Sequence, residues 1–320
     1  MLTGQFGIEI ELTGITRAKA AEVIQTVVGG RIEHAAREGY DTRKIFAEDG
    51  RVWKVVSDAS IRREATRGTV NSTYAVEVVS PILTETDIDT VRYIARALRA
   101  AGGKTNDSCG IHIHLNGSNQ TVQSIKNYIN IIASKNDLLY KALQIKPGRM
   151  RWCKKMDERL VIELKKKKPT TMQKIKDIWY NERNAGFHTH YDESRYHFLN
   201  LHSFFNGNGT VELRGFNSTL HAGKIKAYIL LALAINNQAL TQRKATCRKT
   251  QEENEKFAMR IYLNRIGFIG EEYKNYREHL YRHLDGCAAW RYGYSNPKYK
   301  KIKRRRRYHE KRNDIHSIWK

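Results

Sequence analysis

Three short apolar runs, far apart in the chain, each carry two ionisable side chains two residues apart: Glu9 and Glu11 in FGIEIEL, His112 and His114 in CGIHIHL, Glu212 and Arg214 in GTVELRGF. Side chains alternate across an extended strand, so residues i and i+2 share a face. Ile10, Ile113 and Leu213 then point the other way, into an apolar layer. The pattern calls for a sheet that is greasy on one side and lined on the other with carboxylates, imidazoles and a guanidinium. Such a face suits phosphate and divalent metal. A fourth run, YAVEVVSP, holds Glu77 alone among β-branched residues. A buried, unpaired carboxylate is costly, and a metal partner is the economical explanation for it.

The rest of the chain supplies strands and helices around these segments. Gln5–Leu12, Arg51–Val56, Tyr74–Val79 and Gly110–Leu115 read as strands, and the polar stretch after Val56 as a loop over the site. Tyr196–Leu201 and Thr210–Gly215 read as a hairpin across FFNGNG, whose Asn-Gly pairs are turn signals. Thr16 and Thr84 are placed to cap helices that run to Val28 and Ala101, and Thr121–Leu143 reads as a further helix. His221–Thr241 reads as a long buried helix and Glu252–Ile266 as an amphipathic one. Hairpins mixed with long helical excursions predict an α+β fold, a mostly antiparallel sheet with helices on its outer face. No glycine-rich phosphate loop follows any strand, so a nucleotide would have to be held by another device.

The chain carries 57 basic against 33 acidic residues, a net of +24, and the excess is uneven. From Arg243 to Lys320 there are 22 Lys and Arg against 9 Asp and Glu, +13 of that total. The run 298–312 (KYKKIKRRRRYHEKR) interleaves tyrosines with basic residues. It reads either as a solvated, disordered tail over 296–320 or as a surface for nucleic acid or another acidic polymer. A second basic stretch, 146–190, reads as a helical insertion whose Lys165–Lys168 block is a solvated helix end or loop. The four cysteines are scattered, no apolar run reaches the roughly 18 residues of a membrane helix, and the N-terminus has no signal-like segment. These features lead to the expectation of a soluble cytoplasmic protein. His188, His190, His197 and His202 crowd one segment, but their spacing matches no structural zinc pattern. Cys109 reads as a small buried thiol.

Carboxylate-rich oxygen sites suit Mg²⁺ or Mn²⁺. With an arginine alongside, such a site points to phosphoryl transfer from a nucleotide. Spacing alone leaves the acceptor open. One alternative is a nuclease that holds two metals for phosphodiester chemistry, with the basic tail as its binding arm.

The ordered set FGIEIE, WKVVSDASI, YAVEVVSP, CGIHIHL, RYHFLNLH and GTVELRGF resembles the putative amidoligase family, across residues 1 to about 245. That family belongs to the carboxylate-amine ligase superfamily of glutamine synthetase and γ-glutamylcysteine ligase. The resemblance implies a glutamine-synthetase-like half-barrel with ATP entering one end and the amino-acid substrate the other. It implies that Glu9, Glu11, Glu77, His112 and Glu212 ligate two or more Mg²⁺ or Mn²⁺ ions. It implies that Arg214 contacts the ATP phosphates and that His114 sits beside the site as a phosphate or substrate contact. Asp58, Ser60 and Arg195 become substrate-side or nucleotide-side groups. On this expectation residues 1–245 form the catalytic domain, 246–295 a helical extension and 296–320 the tail. The implied reaction is ATP-dependent: a carboxylate on an amino acid, peptide or protein becomes an acyl phosphate, which an amine then converts to an amide. A carboxylate should take the amine's proton, and Asp58 is the candidate for that role.

Overall fold

The computed structural model describes residues 2–35, 41–66, 68–181, 192–250 and 253–292. The tail 296–320, with its basic run 298–312, lies outside the described residues, as do His188, His190 and the end of the 146–190 insertion. Eight strands form one antiparallel sheet: β1 (Phe6–Leu12), β2 (Arg31–Ala35), β3 (Thr42–Phe46), β4 (Val52–Val56), β5 (Val76–Val79), β6 (Gly110–Asn116), β7 (Leu199–Asn200) and β8 (Thr210–Asn217). Their spatial order is β2-β3-β4-β5-β1-β6-β8-β7, an open sheet with β1 and β6 inside it. Nine described helices complete an α+β fold: α1 (Arg17–Val28), α2 (Ile88–Ala100), α3 (Val122–Ala142), α4 (Glu158–Lys167), α5 (Met172–Trp179), α6 (His202–Asn206), α7 (Ala222–Thr241), α8 (Glu255–Arg265) and α9 (Lys274–Tyr281).

Alternation divides the sheet. Ile8, Ile10 and Leu12 of β1, Val76 and Val78 of β5, Ile111, Ile113 and Leu115 of β6, and Leu213 of β8 are all fully buried in the main apolar core. Helix α1 covers the β2–β5 half, α7 packs on β6, and α2 lies between those two helices. Helix α7 is buried nearly all round, with α3 and α9 against it, which accounts for its apolar run of alanine, leucine and isoleucine. Met259, Leu263, Phe268 and Leu280 join the same core, so α8 and α9 pack on it with the elements before residue 245.

The caps follow the sequence. The Thr16 hydroxyl accepts from the Lys19 amide, Thr121 and Ser124 form a reciprocal pair at the start of α3, and Thr84 and Asp87 do so ahead of α2. Helix α4 ends in exposed lysines, with Lys168 in the left-handed region at φ 46°. Two features depart from the sequence pattern. Strands β2 and β3 form where no strand is legible: RIEHA has no alternation, and β2 is a charged outer edge held by its pairing to β3. The 196–201 strand shrinks to Leu199–Asn200, and FFN becomes helical. The cause is Asn200, whose side-chain oxygen accepts from the His202 amide at 2.8 Å and starts α6 inside the expected hairpin.

Candidate active site

Strand register brings the ionisable pairs side by side. Glu9 lies across from His112 and Glu11 across from Glu77. His114 lies across from Glu212. Between Ile111 and Ile113 the ladder shifts, so Arg214 and Gly215 together face His112, a β-bulge in β8. The extra residue returns Phe216 to the buried face, where it stacks on Tyr228 and touches Phe198. Gly215 permits this, because a Cβ there would lie 1.9 Å from the Phe198 ring.

The side chains form one connected cluster. His112 Nδ1 is 2.9 Å from Glu9 Oε2 and 3.7 Å from Glu212 Oε1, and its Nε2 is 3.4 Å from Glu11 Oε1. His114 Nε2 lies 3.1 Å from Glu9 Oε1, an ion-pair contact without hydrogen-bond alignment, and its Nδ1 meets the Thr210 hydroxyl at 2.9 Å. Arg214 donates from Nη1 to Glu212 at 2.5 Å, and Asn200 donates to the other Glu212 oxygen at 2.6 Å. Glu11 accepts from the Gly110 amide at 2.6 Å. Asp58 accepts from the Ser60 amide at 2.6 Å, which folds the loop after β4 back over the carboxylates.

A cavity of about 480 Å³ opens above this cluster. Glu9, Glu11, Glu77, His112 and Arg214 line it from the sheet, Asp58 and Ser60 from one wall, and Arg195 from the other. A second cavity of about 350 Å³ lies toward the opposite end of β1, with His114 and Asn116 on its floor and Ser80–Ile82 along one side. Glu9 lines both. Glu212 sits beneath them, buried against Arg214 and Asn200. All ten sequence-predicted residues therefore meet around one strip of the sheet.

The charges in this strip do not balance. Burial, and then repulsion from Glu9, Glu11 and Asp58, holds the Glu77 carboxyl well above its ordinary range. Burial also raises Glu11, against the pull of His112. Burial opposes ionisation of Glu9 as well, yet His114 and His112 outweigh it and hold Glu9 well below the usual value. At Glu212, Arg214 and the two imidazoles likewise outweigh burial and lower the carboxyl. Burial disfavours the imidazolium of His114, but Glu9 and Glu212 raise it to about 9. Glu77 and Glu11 thus bear the cost of crowding more carboxyls into the strip than its cations offset.

Divalent cations fit that deficit. Three groups offer ligand atoms within 4.8 Å of one another: Glu9, His114 and Glu212; Glu9, Glu77 and His112; and Glu11, Asp58 and Glu77. Glu9 is common to the first two and Glu77 to the last two, so adjacent cations could share carboxylates. The donors are mostly oxygen, the set that hard ions such as Mg²⁺ and Mn²⁺ prefer.

Sequence reasoning missed Arg149, Trp152 and Tyr196, which line the larger cavity, and Asn200, which holds Glu212. Trp152 and Tyr196 stand edge to face with ring centroids 5.1 Å apart. Asn200 could have been found from the β7–β8 register, which sets it opposite Glu212. Arg149 carries no such signal, since it follows a Pro-Gly turn and arrives by tertiary packing. The two described histidines of the crowded 188–202 segment have ordinary partners: His197 Nδ1 meets the Ser194 carbonyl at 3.0 Å, and His202 Nδ1 meets the Tyr180 hydroxyl at 2.5 Å. Cys109 is fully buried, and burial pushes its thiol up to about 11. No described helix is long and apolar enough to cross a membrane.

Compared with known proteins, residues 3–236 match the sequence model of the family described as putative amidoligase enzyme. No curated protein matches the chain.

Proposed function

This chain belongs to the putative amidoligase family, and we propose that it is an ATP-dependent carboxylate-amine ligase that forms an amide through an acyl phosphate. The observation that carries this reading is the convergence of Glu9, Glu11, Glu77, His112, Glu212 and Arg214 beneath one cavity, with more carboxylate than cation among them. The open antiparallel sheet supports extending the proposal to the half-barrel architecture of glutamine-synthetase-like enzymes.

Carboxylate and amine do not condense usefully in water, so the carboxylate needs a better leaving group. Its oxygen attacks the γ-phosphorus of ATP, the bond to the β-phosphate oxygen breaks, and ADP departs. The amine nitrogen then attacks the acyl carbon, and phosphate leaves with the former carboxylate oxygen. Mg²⁺ or Mn²⁺ held by Glu9, Glu11, Glu77, His112 and Glu212 would neutralise the nucleotide and lessen its repulsion of the incoming carboxylate. Arg214, oriented by Glu212, stabilises charge on the transferring phosphoryl group. His114, held beside Glu9 and the Thr210 hydroxyl, contacts phosphate or substrate. Asp58 at the cavity wall takes the proton of the attacking amine. Ser60 and Arg195 line the same cavity and contact nucleotide or substrate.

Phosphate release from ATP in the presence of Mg²⁺, screened over pools of amino acids and short peptides, tests the reading. Stimulation by one pool, with ADP and an amide as products, is the expected result. Glu11→Ala and Arg214→Ala should each lower turnover at least ~10³-fold, about 4 kcal/mol of barrier, in protein that remains folded. Wild-type rates in both variants, or metal-dependent nicking of DNA with no nucleotide turnover, would overturn it.

A further inference from the structure

Arg149 is 2% exposed, yet it touches none of the cluster's carboxylates directly. Its guanidinium reaches across the ends of β6 and β8 and donates from Nη1 to the carbonyl of Phe216 and from Nη2 to the carbonyl of Arg214, the latter at 3.1 Å. Those two carbonyls flank Gly215 within the bulge. The Arg214 amide is fixed from the other side, donating to the Phe198 carbonyl at 2.8 Å. The backbone of Arg214 is therefore clamped at both its donor and its acceptor.

The same guanidinium lies against Gly110. A Cβ at Gly110 would stand 2.2 Å from Arg149 Nη2, so any side chain at this position must displace the guanidinium. The Gly110 amide is the one that holds Glu11. One buried cation thus braces two separate pieces of the site, the strand segment that aims Arg214 and the amide that orients Glu11. A buried guanidinium spent on backbone carbonyls, in a loop outside the ionisable strand pairs, is expensive to maintain for packing alone.

We propose that Arg149 is a positioning residue of this site: its fork across the β8 bulge and over Gly110 sets the aim of Arg214 and Glu11, and with it the affinity of the carboxylate strip for divalent cations. The inference rests on the metal-dependent ligase reading above, but its test does not require amide formation. Groups that orient metal ligands from behind typically alter metal affinity by about 10–100-fold when removed.

The decisive experiment is a double-mutant cycle on Mn²⁺ affinity, measured calorimetrically on the full chain without ATP. Arg149→Met should weaken Mn²⁺ about 10–100-fold. Gly110→Ala should do the same by displacing the guanidinium. The double variant should be no worse than Arg149→Met alone, because the guanidinium that the added methyl would displace is already gone. Additive losses, or an Arg149→Met affinity within about threefold of wild type, would overturn the proposal. If Arg149→Met does not accumulate folded, Arg149→Lys carries the test. Lysine keeps the charge but cannot make two fixed divergent bonds, so a loss of Mn²⁺ affinity is again expected. Hydrogen exchange at the Arg214 amide supplies a readout independent of metal. It should quicken in the Arg149 variants relative to the rest of β8, and unchanged exchange would also count against the proposal. A wild-type chain that binds no Mn²⁺ would sink the metal reading, while exchange at the bulge would still decide the role of Arg149.

Discussion

Two charge clusters in this protein, each with a buried arginine, are built from similar residues and have opposite balances. At the first, where α1 meets β3, Arg17 is 3% exposed and every face of its guanidinium is met. Nε and Nη2 donate to Asp41 at 3.0 and 2.6 Å, and Nη1 donates to the carbonyls of Ser72 and Ala75 at 2.7 and 2.9 Å. Asp41 in turn contacts His34 at 2.7 Å and Arg43 at 3.7 Å. At the second, the carboxylate strip, Glu9, Glu11 and Glu212 share two imidazoles and one guanidinium, and Glu77 adds a further carboxyl that its acidic neighbours repel. The protein completes the first cluster by itself. It leaves the second short of positive charge, and that shortage separates a binding site from a structural brace.

The largest expected effects come from crossing one substitution from each cluster. Arg17→Ala leaves the Ser72 and Ala75 carbonyls without that donor, while Asp41 keeps its contacts to His34 and Arg43. It should cost about 1–3 kcal/mol of stability, the usual loss when buried acceptors are left unsatisfied. Turnover per folded molecule should be unchanged. Glu77→Gln removes a carboxyl that its neighbours repel. It should leave the metal-free protein at least as stable as wild type, while turnover falls at least ~10²-fold. Urea unfolding in EDTA and steady-state rates on the same preparations check both halves. Loss of stability in Glu77→Gln without loss of rate would erase the distinction.

Next comes the pH dependence of stability, where the clusters should differ in sign. Partial burial opposes the charge of Asp41, but its bonds to Arg17 and His34 outweigh that and lower its carboxyl. A lowered carboxyl stabilises the fold above its unfolded value of about 3.9 and loses that contribution as pH falls through the folded one. Glu77 is raised by burial and by its acidic neighbours, and His114 is raised to about 9 by Glu9 and Glu212 against burial. Groups raised on folding stabilise fully below their unfolded values, about 4.3 and 6.5, and lose that contribution as pH climbs through the folded ones. In EDTA the melting temperature should therefore decline from about pH 5 to pH 9. The decline should flatten in Glu77→Gln and in wild type with saturating Mg²⁺. A metal-insensitive profile would mean that the strip is balanced by something other than cations.

The strip was legible in the sequence and the brace was not, for a physical reason. Glu9 with Glu11, His112 with His114, and Glu212 with Arg214 announce a shared face because the strand period is two and their neighbours are apolar. The chain offers no such rule for Arg17 and Asp41, which meet through tertiary packing between α1 and the start of β3. Strand β2 was hidden for a related reason: an edge strand with little buried surface needs no alternation, so RIEHA carries none. FFNGNG misled in another way, since its turn residues are real but the side chain of Asn200 nucleates a helical turn before them. Arg149 was the hardest to see, because what marks it is the missing side chain at Gly110, a residue that reads as an ordinary strand start.

The smallest expected effect asks whether contact distance or burial defines these clusters. Arg51 meets Asp49 and Asp87 at 2.7 Å each, as close as Arg17 meets Asp41, but its side chain is 35% exposed. Water can replace a partner there, and salt screens what attraction remains. Asp87 also keeps its bond to the Thr84 amide at 2.8 Å, so removing Arg51 does not strand it. Arg51→Ala should accordingly cost at most about 1 kcal/mol, read as a small drop in the urea midpoint at constant slope. The drop should shrink further in 0.5 M salt, about a 4 Å screening length. If Arg51→Ala instead cost as much as Arg17→Ala, solvent access could not be what separates a brace from a surface pair. The contrast between the two clusters would then have to rest on geometry alone.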